Sequence, residues 1–318
     1  MFAGGEDRRM AINFSLSSDG DIIADHHVIA QVLHEALPYI DFLKGKILVI
    51  KLGGSTLENQ RMILQDIIWL RALGANPVLV HGGGPYINQW LARLGIASTF
   101  KNGLRVTDAH TLQIVRMVLC GQVNRELVAM AAQLGGRVVG LCGTDGQMIQ
   151  ARCADLELGF VGEIERVNPE LVQTLVEREY IPIIAPLGQG PDGGSLNINA
   201  DLVAAHLAGA LAAEKLIFLS NVVGICRADG SLIPELSERD ARRLIEEGVI
   251  SGGMIPKVSA CLDALVAVPR VHIVDGGEAH MLLRELFTDQ GAGTMIVRQS
   301  TVRDTGEKAA VHVCGQEG

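Results

Sequence analysis

Aromatic residues make up only 4% of this 318-residue chain, no two cysteines form a CxxC pair, and neither lysine nor arginine forms a run. Each shortage excludes something. The six cysteines (120, 142, 153, 226, 261 and 314) are scattered through a long chain. Reduced core thiols are therefore expected rather than a disulfide scaffold or a zinc site. With 27 basic against 36 acidic residues and a net charge of −9, a basic nucleic-acid face is excluded, although a local positive pocket is not. No apolar run reaches the roughly 20 residues of a membrane span. The nearest, "LVAAHLAGALAA", is interrupted by His206 and Gly209. The opening "MFAGGEDRRMAINF" has no apolar signal-peptide core. The histidines show no metal-ligand spacing, and neither GxSxG nor GxxxxGK(S/T) occurs. A soluble cytoplasmic protein with no nucleic-acid or membrane partner and no protein-held metal is expected.

What the chain does have is 48% hydrophobic residues and 37 glycines. "KILVIK", "NPVLVH", "RVVGLC", "IPIIAPL", "KLIFLS", "VHIVD" and "TMIV" read as strands. Helical spacing lies between most of them. A first helix falls within 24–45, where Pro38 should end or kink it. Others follow on a stripe of Ile63, Ile67 and Leu70 stopped by Gly74, from Tyr86 to Leu94, over 109–133, after Pro169, and at 200–211, 237–247, 256–266 and 278–287. The stretch from "GTDG" to about 167 reads as a hairpin region. Residues 1–23 and 299–318 are polar and expected to be flexible ends. Alternating strands and helices imply a three-layer αβα sandwich around a mostly parallel sheet, a single α/β domain over 46–298.

Ligands of such sheets bind beyond the carboxyl ends of the strands. Three Gly-rich loops follow strands here: "KLGGST", "HGGGP" and "GQGPDGG". "GQGPDG" (188–193) formally fits GxGxxG, but Pro191-Asp192-Gly193 is turn chemistry and helical periodicity begins only near Ala200. A mobile loop fits it better than a nicotinamide-dinucleotide site. "HGGGP" (81–85) exposes consecutive backbone N–H groups at a helix start, which suits an anion, whereas a tight turn would need only one or two glycines. His81, closing a buried strand, reads as a structural donor rather than a base.

Lys51 ends a strand just before Gly53 and Gly54. It can neutralise a transferring phosphoryl group or be a solvated strand-end lysine. Lys257, in "SGGMIPK", stands at a helix start, where the dipole disfavours a cation unless an anion holds it there. In "LNINAD", Asn197, Asn199 and Asp201 crowd one helix entry, although Asn199 alone would serve as its cap. Arg105, in "GLRVTD", is a lone cation before a helix that Thr107 or Asp108 can cap. Its guanidinium can grip a carboxylate bidentately, while position alone fits a surface arginine equally well. If Gly83 and Gly84 hold one acidic group, Arg105 with Asn197 could hold a second, and a dicarboxylate would fit both.

Taken in order, "KLGG", "NPVLVHGGGP", "NGLRVTD", "LNINAD", "LSNVVGI", "GGMIPK" and "ELFTDQGAGTMI" resemble the motifs of the amino-acid kinase superfamily, and within it the N-acetyl-L-glutamate kinases, over residues 28–298. The resemblance implies the carbamate kinase-like fold, with an acetylglutamate lobe at 46–195 and an ATP lobe at 196–298. It implies phosphoryl transfer from MgATP to the side-chain carboxylate of N-acetyl-L-glutamate, a step of arginine biosynthesis. By motif position, Lys51 and Lys257 would stabilise the transition state and Asp201 would organise them. Gly83, Gly84, Arg105 and Asn197 would hold the amino-acid substrate. Gly53 and Gly54 would approach the phosphoryl group, and Ser220, Asn221, Val222, Gly252, Gly253 and Met254 would lie at the nucleotide. Mg²⁺ would be held mainly by phosphates and water.

"ALPYIDFLKGK" resembles the arginine-regulated branch, in which N-terminal helices interlace dimers into a hexamer and arginine binds between that helix and the catalytic body. The matching positions are Tyr39, His272, Glu285 and Gly291, with Glu285 as an acceptor for the guanidinium. Three departures bear on nucleotide affinity and regulation: Asn221 where the family commonly has Asp, "KLGG" for "KYGG", and "DGG" at 275–277 for "DGR". A sister kinase for a related acylated or carrier-bound amino dicarboxylate would share most of these residues. So would a catalytically silent regulatory paralogue, although retention of both lysines and Asp201 argues against silence.

Overall fold

The computed structural model describes residues 26–53, 59–101, 103–227, 229–250, 254–289 and 291–299, with short strands at Ser15–Leu16, Ile22–Ile23 and Val311–Cys314. Eight strands form the main sheet: β1 (Ile47–Leu52), β2 (Asn76–His81), β3 (Val138–Cys142), β4 (Ile181–Ala185), β5 (Lys215–Ser220), β6 (Glu235–Ser237), β7 (Arg270–Asp275) and β8 (Thr294–Val297). Their order is β6-β8-β7-β5-β1-β2-β4-β3. From β7 to β3 all neighbours are parallel. β8 runs antiparallel to β7 and carries β6 parallel to itself at the edge.

The near-continuous apolar runs of the central strands follow from burial on both faces. Successive residues alternate between two cores. Leu48, Ile50, Leu52, Leu79, Ile183, Ile217 and Leu219 enter one core, whereas Val49, Val78, Val80, Ile184, Leu216 and Phe218 enter the other. Each such fully buried side chain contributes about 1.5–3 kcal/mol relative to exposure. The α-helices of the described residues are α1 (His26–Leu43), α2 (Gln60–Ala72), α3 (Gly84–Arg93), α4 (Ala109–Arg116), α5 (Asn124–Gln133), α6 (Glu170–Glu177), α7 (Ala200–Ala210), α8 (Glu238–Glu246), α9 (Met254–Ala264) and α10 (Met281–Phe287). Buried residues of α2 to α5 and α10 line the first core, and those of α6 to α9 line the second. The three-layer αβα sandwich is thus present.

Several stretches differ from the sequence reading. α1 continues through Pro38 to Leu43. Pro38 cannot donate to the His34 carbonyl, and both residues are exposed, so water can satisfy that acceptor. The helix expected over 109–133 is divided by a π-helical stretch, Met117–Val123, which buries Val118, Leu119 and Val123. "GQGPDGG" is a hairpin rather than a mobile loop. Leu187–Gln189 pairs antiparallel with Ser195–Asn197, and Gly190 N–H bonds Gly194 O across the turn. Leu187–Gln189 also joins the expected hairpin, Ile149–Cys153 with Gly162–Val167, to give a small four-stranded sheet.

The chain ends also hold structure. Ser15–Leu16 pairs antiparallel with Ile22–Ile23, and Val311–Cys314 with Gly224–Arg227. Ladder pairing there uses backbone groups, which polar composition does not forbid. The cysteines follow expectation only in part. Cys226 and Cys261 are buried and Cys120 and Cys142 half-buried, but Cys153 is exposed. Among the described residues, no helix is long and apolar enough to cross a membrane.

Candidate active site

Strand parity aims the first functional side chain. Lys51 lies two residues beyond Val49 on β1, so it leaves the sheet on the side of α7 and α9. Asn199 caps α7, its side-chain oxygen accepting the Asp201 N–H at 2.7 Å. That cap places Asp201 in the first turn, where its carboxylate lies 2.7 Å from Lys51 Nζ. Lys257 stands in the first turn of α9. Burial lowers its pKa, the neighbouring Lys51 charge lowers it further, and the Asp201 charge opposes both. Two cations and one anion therefore share a largely desolvated corner. Their surplus positive charge suits a phosphate ligand.

Beside this corner lies the glycine loop. β2 ends at His81, and α3 begins at Gly84 with Pro85 in its first turn. A Cβ on Gly83 would lie 2.6 Å from Leu119 Cδ2, so the buried Leu119 of the π-helical stretch would have to shift to admit any other residue there. His81 is fully buried, with Nδ1 2.9 Å from Gly82 O and Nε2 3.1 Å from Asn124 Nδ2. Burial pushes its pKa down to about 4, which suits a structural donor rather than a base. A pocket of about 190 Å³ opens in front of the loop. Gly82, Gly83, Gly84, Ile87, Phe100, Arg105, Leu119, Val161, Pro186 and Asn197 line it, and Asn199 and Ala200 join it to the Asp201 corner.

Arg105 is no surface residue. It is 8% exposed, donates to Asn88 Oδ1 at 2.7 Å, to Ser98 Oγ, and at 3.5 Å to Gly84 O. The guanidinium carbon lies 4.7 Å from the centre of the Phe100 ring. Asp108, not Thr107, caps α4, accepting Thr111 N–H at 2.7 Å. The hydroxyl of Thr107 instead donates to Arg105 O at 2.8 Å and accepts from Asn197 Nδ2 at 3.1 Å. Gly83, Gly84, Arg105 and Asn197 thus meet in one pocket, as their motifs suggest. Phe100 joins them in the lining, while Asn88 and Ser98 hold Arg105 and Thr107 holds Asn197. Only Thr107 carried a sequence signal, as an alternative cap.

Of the positions expected at the nucleotide, Gly53 follows β1 and Ser220, Asn221 and Val222 close or follow β5. Gly53 N–H bonds Leu219 O at 3.0 Å, and Ser220 O accepts Gly276 N–H at 2.7 Å. Asn221 is exposed, Val222 is half-buried beside Ser220, and Met254 is buried at the start of α9. Gly54, Gly252 and Gly253 lie outside the described residues. Among the described residues no group of three His, Cys, Asp or Glu side chains could hold a metal ion.

The positions read as an effector site gather around α10, which carries Glu285. Glu285 accepts from Ala292 N–H and Gly293 N–H and pairs with His272 Nδ1, and His272 Nε2 is buried with no partner among the described residues. A Cβ on Gly291 would come 2.8 Å from Glu285 Oε2. Tyr39 OH bonds Asp289, tying α1 to this region. The Glu285 carboxylate is therefore already occupied within the chain.

Residues 46–275 match the model of the amino acid kinase family. The curated acetylglutamate kinase of Nostoc sp. is 50% identical over 275 residues, covering 84% of this chain and 93% of that protein. The solved N-acetylglutamate synthase of Neisseria gonorrhoeae, complexed with coenzyme A and N-acetyl-glutamate, superposes with a TM-score of 0.77 at 28% identity, over 87% of this chain and 66% of that one. Carbamate kinase from Giardia lamblia, bound to AMP-PNP, shares the fold at a TM-score of 0.58 and 18% identity, over 80% and 99%. Motif order, fold and half of the aligned residues agree: the chain belongs to the amino acid kinase family.

Proposed function

We infer that the chain is an acetylglutamate kinase, transferring the γ-phosphoryl group of ATP to the side-chain carboxylate of N-acetyl-L-glutamate in the cytoplasmic synthesis of arginine. The carrying observation is the lysine pair sharing Asp201 at the mouth of the Arg105 pocket. A carboxylate nucleophile is already ionised near pH 7, so the reaction needs no general base. Its difficulty is the mutual repulsion of two anions. Arg105 and Asn197, with the Gly83 and Gly84 N–H groups, hold the amino acid in the pocket. Lys51 and Lys257 offset the charge on the moving phosphoryl group, and Asp201 keeps the two ammonium groups together. Gly53, Gly54, Ser220, Asn221, Val222, Gly252, Gly253 and Met254 lie along the nucleotide. Asp201, the carboxylate of this corner, is taken by Lys51. That fits a Mg²⁺ held by phosphate oxygens and water, which supplies further neutralising charge when bound.

Regulation by L-arginine and assembly into a hexamer of three dimers belong to the same reading. On α1, Val32, Leu33 and Leu37 are 47%, 59% and 52% exposed, an apolar stripe that its own domain leaves uncovered. A second copy of the chain can cover it. Tyr39, His272, Glu285 and Gly291 then form the effector site, with arginine competing for the Glu285 contacts. Coupled measurement of ADP release with N-acetylglutamate, glutamate and aspartate tests the activity. Turnover with acetylglutamate alone supports it, and turnover with a different acceptor or none refutes it.

A further inference from the structure

A trans peptide points its C=O and the following N–H to opposite sides, so whatever fixes the Gly82 carbonyl also fixes the Gly83 N–H. His81 Nδ1 lies 2.9 Å from Gly82 O. A carbonyl only accepts, so the proton sits on Nδ1 and Nε2 is left as an acceptor. Asn124 Nδ2 reaches that Nε2 at 3.1 Å. The Asn124 amide has one sensible orientation. Its Nδ2 also donates to Ile183 O at 2.9 Å and to Leu141 O at 3.3 Å, and its Oδ1 accepts from Arg125. The reverse orientation would set Oδ1 against two carbonyls. Donors thus run one way, from Arg125 through Asn124 and His81 to the Gly82 carbonyl. The Gly83 N–H finds no acceptor within the described residues.

Building on the substrate reading above, we propose that His81, held by Asn124 as its Nδ1–H tautomer, is a positioning residue that turns the Gly83 N–H onto the substrate. It touches neither reactant. Burial from all sides, with Arg125 the charged group facing it, keeps the imidazole neutral.

The test reads the tautomer in the native protein. In ¹⁵N-histidine NMR of the full chain, with His81 identified as the resonance missing from its variants, Nδ1 carries the proton at pH 7 and the ring does not titrate above pH 5. A protonated Nε2, or titration near pH 6.5, overturns the proposal. Kinetics give the second readout. His81→Asn places an amide N–H where Nδ1 stood, whereas His81→Gln and His81→Leu do not. The Asn variant should keep the KM for acetylglutamate within about threefold, while Gln and Leu raise it about tenfold or more, the worth of one charge-assisted hydrogen bond. The KM for ATP should not move. Equal behaviour of Asn and Leu, or parallel changes in both KM values, also overturns it. The substrate reading fails separately, if Arg105→Lys leaves acetylglutamate binding unchanged while the tautomer is as stated.

Discussion

Replacing Arg105 by lysine keeps the charge and removes the fork, and the structure says what that costs. A guanidinium has five N–H donors. Contacts to Asn88 Oδ1, Ser98 Oγ and Gly84 O use three, leaving two for a ligand in the pocket. An ammonium has three donors on a tetrahedral tip. Satisfying the same three acceptors would leave it none, and serving the ligand would strip a neighbour of its partner. The lysine also loses the planar contact with Phe100, 4.7 Å away in the native protein. One charge-assisted bond and part of a stacking contact together amount to about 1–3 kcal/mol. The KM for acetylglutamate should therefore rise about 5- to 150-fold. The positions proposed for the nucleotide, Gly53 and Ser220 among them, follow β1 and β5 outside this pocket, so the KM for ATP should barely change. Steady-state kinetics and calorimetric titration of each substrate provide the assay. Weakened ATP binding with intact acetylglutamate binding would refute the reasoning.

The remaining predictions concern the lysine corner and the first helix. Lys257→Ala should lower kcat by about 10²–10³ with little change in the KM for ATP, because its charge matters most as the phosphoryl group moves. An unchanged kcat with only a raised KM would reduce Lys257 to a binding residue. Lys257 must be protonated to act, and its pKa lies below that of an ordinary lysine, chiefly through burial. Activity in kcat/KM should thus fall as pH rises through that lowered value. Lys257→Arg, charged throughout, should abolish this alkaline limb, and its persistence would assign the limb to another group. Deleting residues 1–42 removes most of α1. It should leave active dimers that arginine no longer inhibits, whereas the full-length chain should be a hexamer that arginine inhibits; light scattering and an arginine titration of both chains check this.

Much of the fold was legible because central strands buried on two faces cannot hide their apolar runs. β6 was not. Three residues after Pro234, at the end of the sheet order, carry no pattern distinct from a loop. The π-helical stretch was invisible for another reason. Apolar residues at 114, 115, 118 and 119 suit an ordinary helix equally well, so their spacing carries no sign of the wider turn. At the site, Lys51 and the glycine loops were legible because they end strands. The partner of Thr107 was not. Thr and Asp both satisfy a local helix cap, and the choice between them is made by Asn197, 90 residues further along. Asn88 and Ser98 had no signal at all, since an exposed amide and a loop hydroxyl are unremarkable until the chain folds Arg105 against them. Glu285 was legible only through the resemblance, as an acceptor for a guanidinium, and its two backbone partners carried no signal.

Gly140 on β3 carries a consequence for how related sequences can drift apart. A Cβ at that position would fall inside both the Arg125 guanidinium and the Asn124 carboxamide. Any side chain at 140 is therefore incompatible with the polar relay that ends at His81, even though 140 lies on an edge strand and touches no ligand. Substitutions here are conditional on their background. A lineage that gains alanine at 140 must already have shortened 124 or 125, or have found another way to hold the Gly82 carbonyl. Positions 81, 124, 125 and 140 should then change together between distant branches, and a swap of one alone, harmless in its own branch, should be damaging in this one.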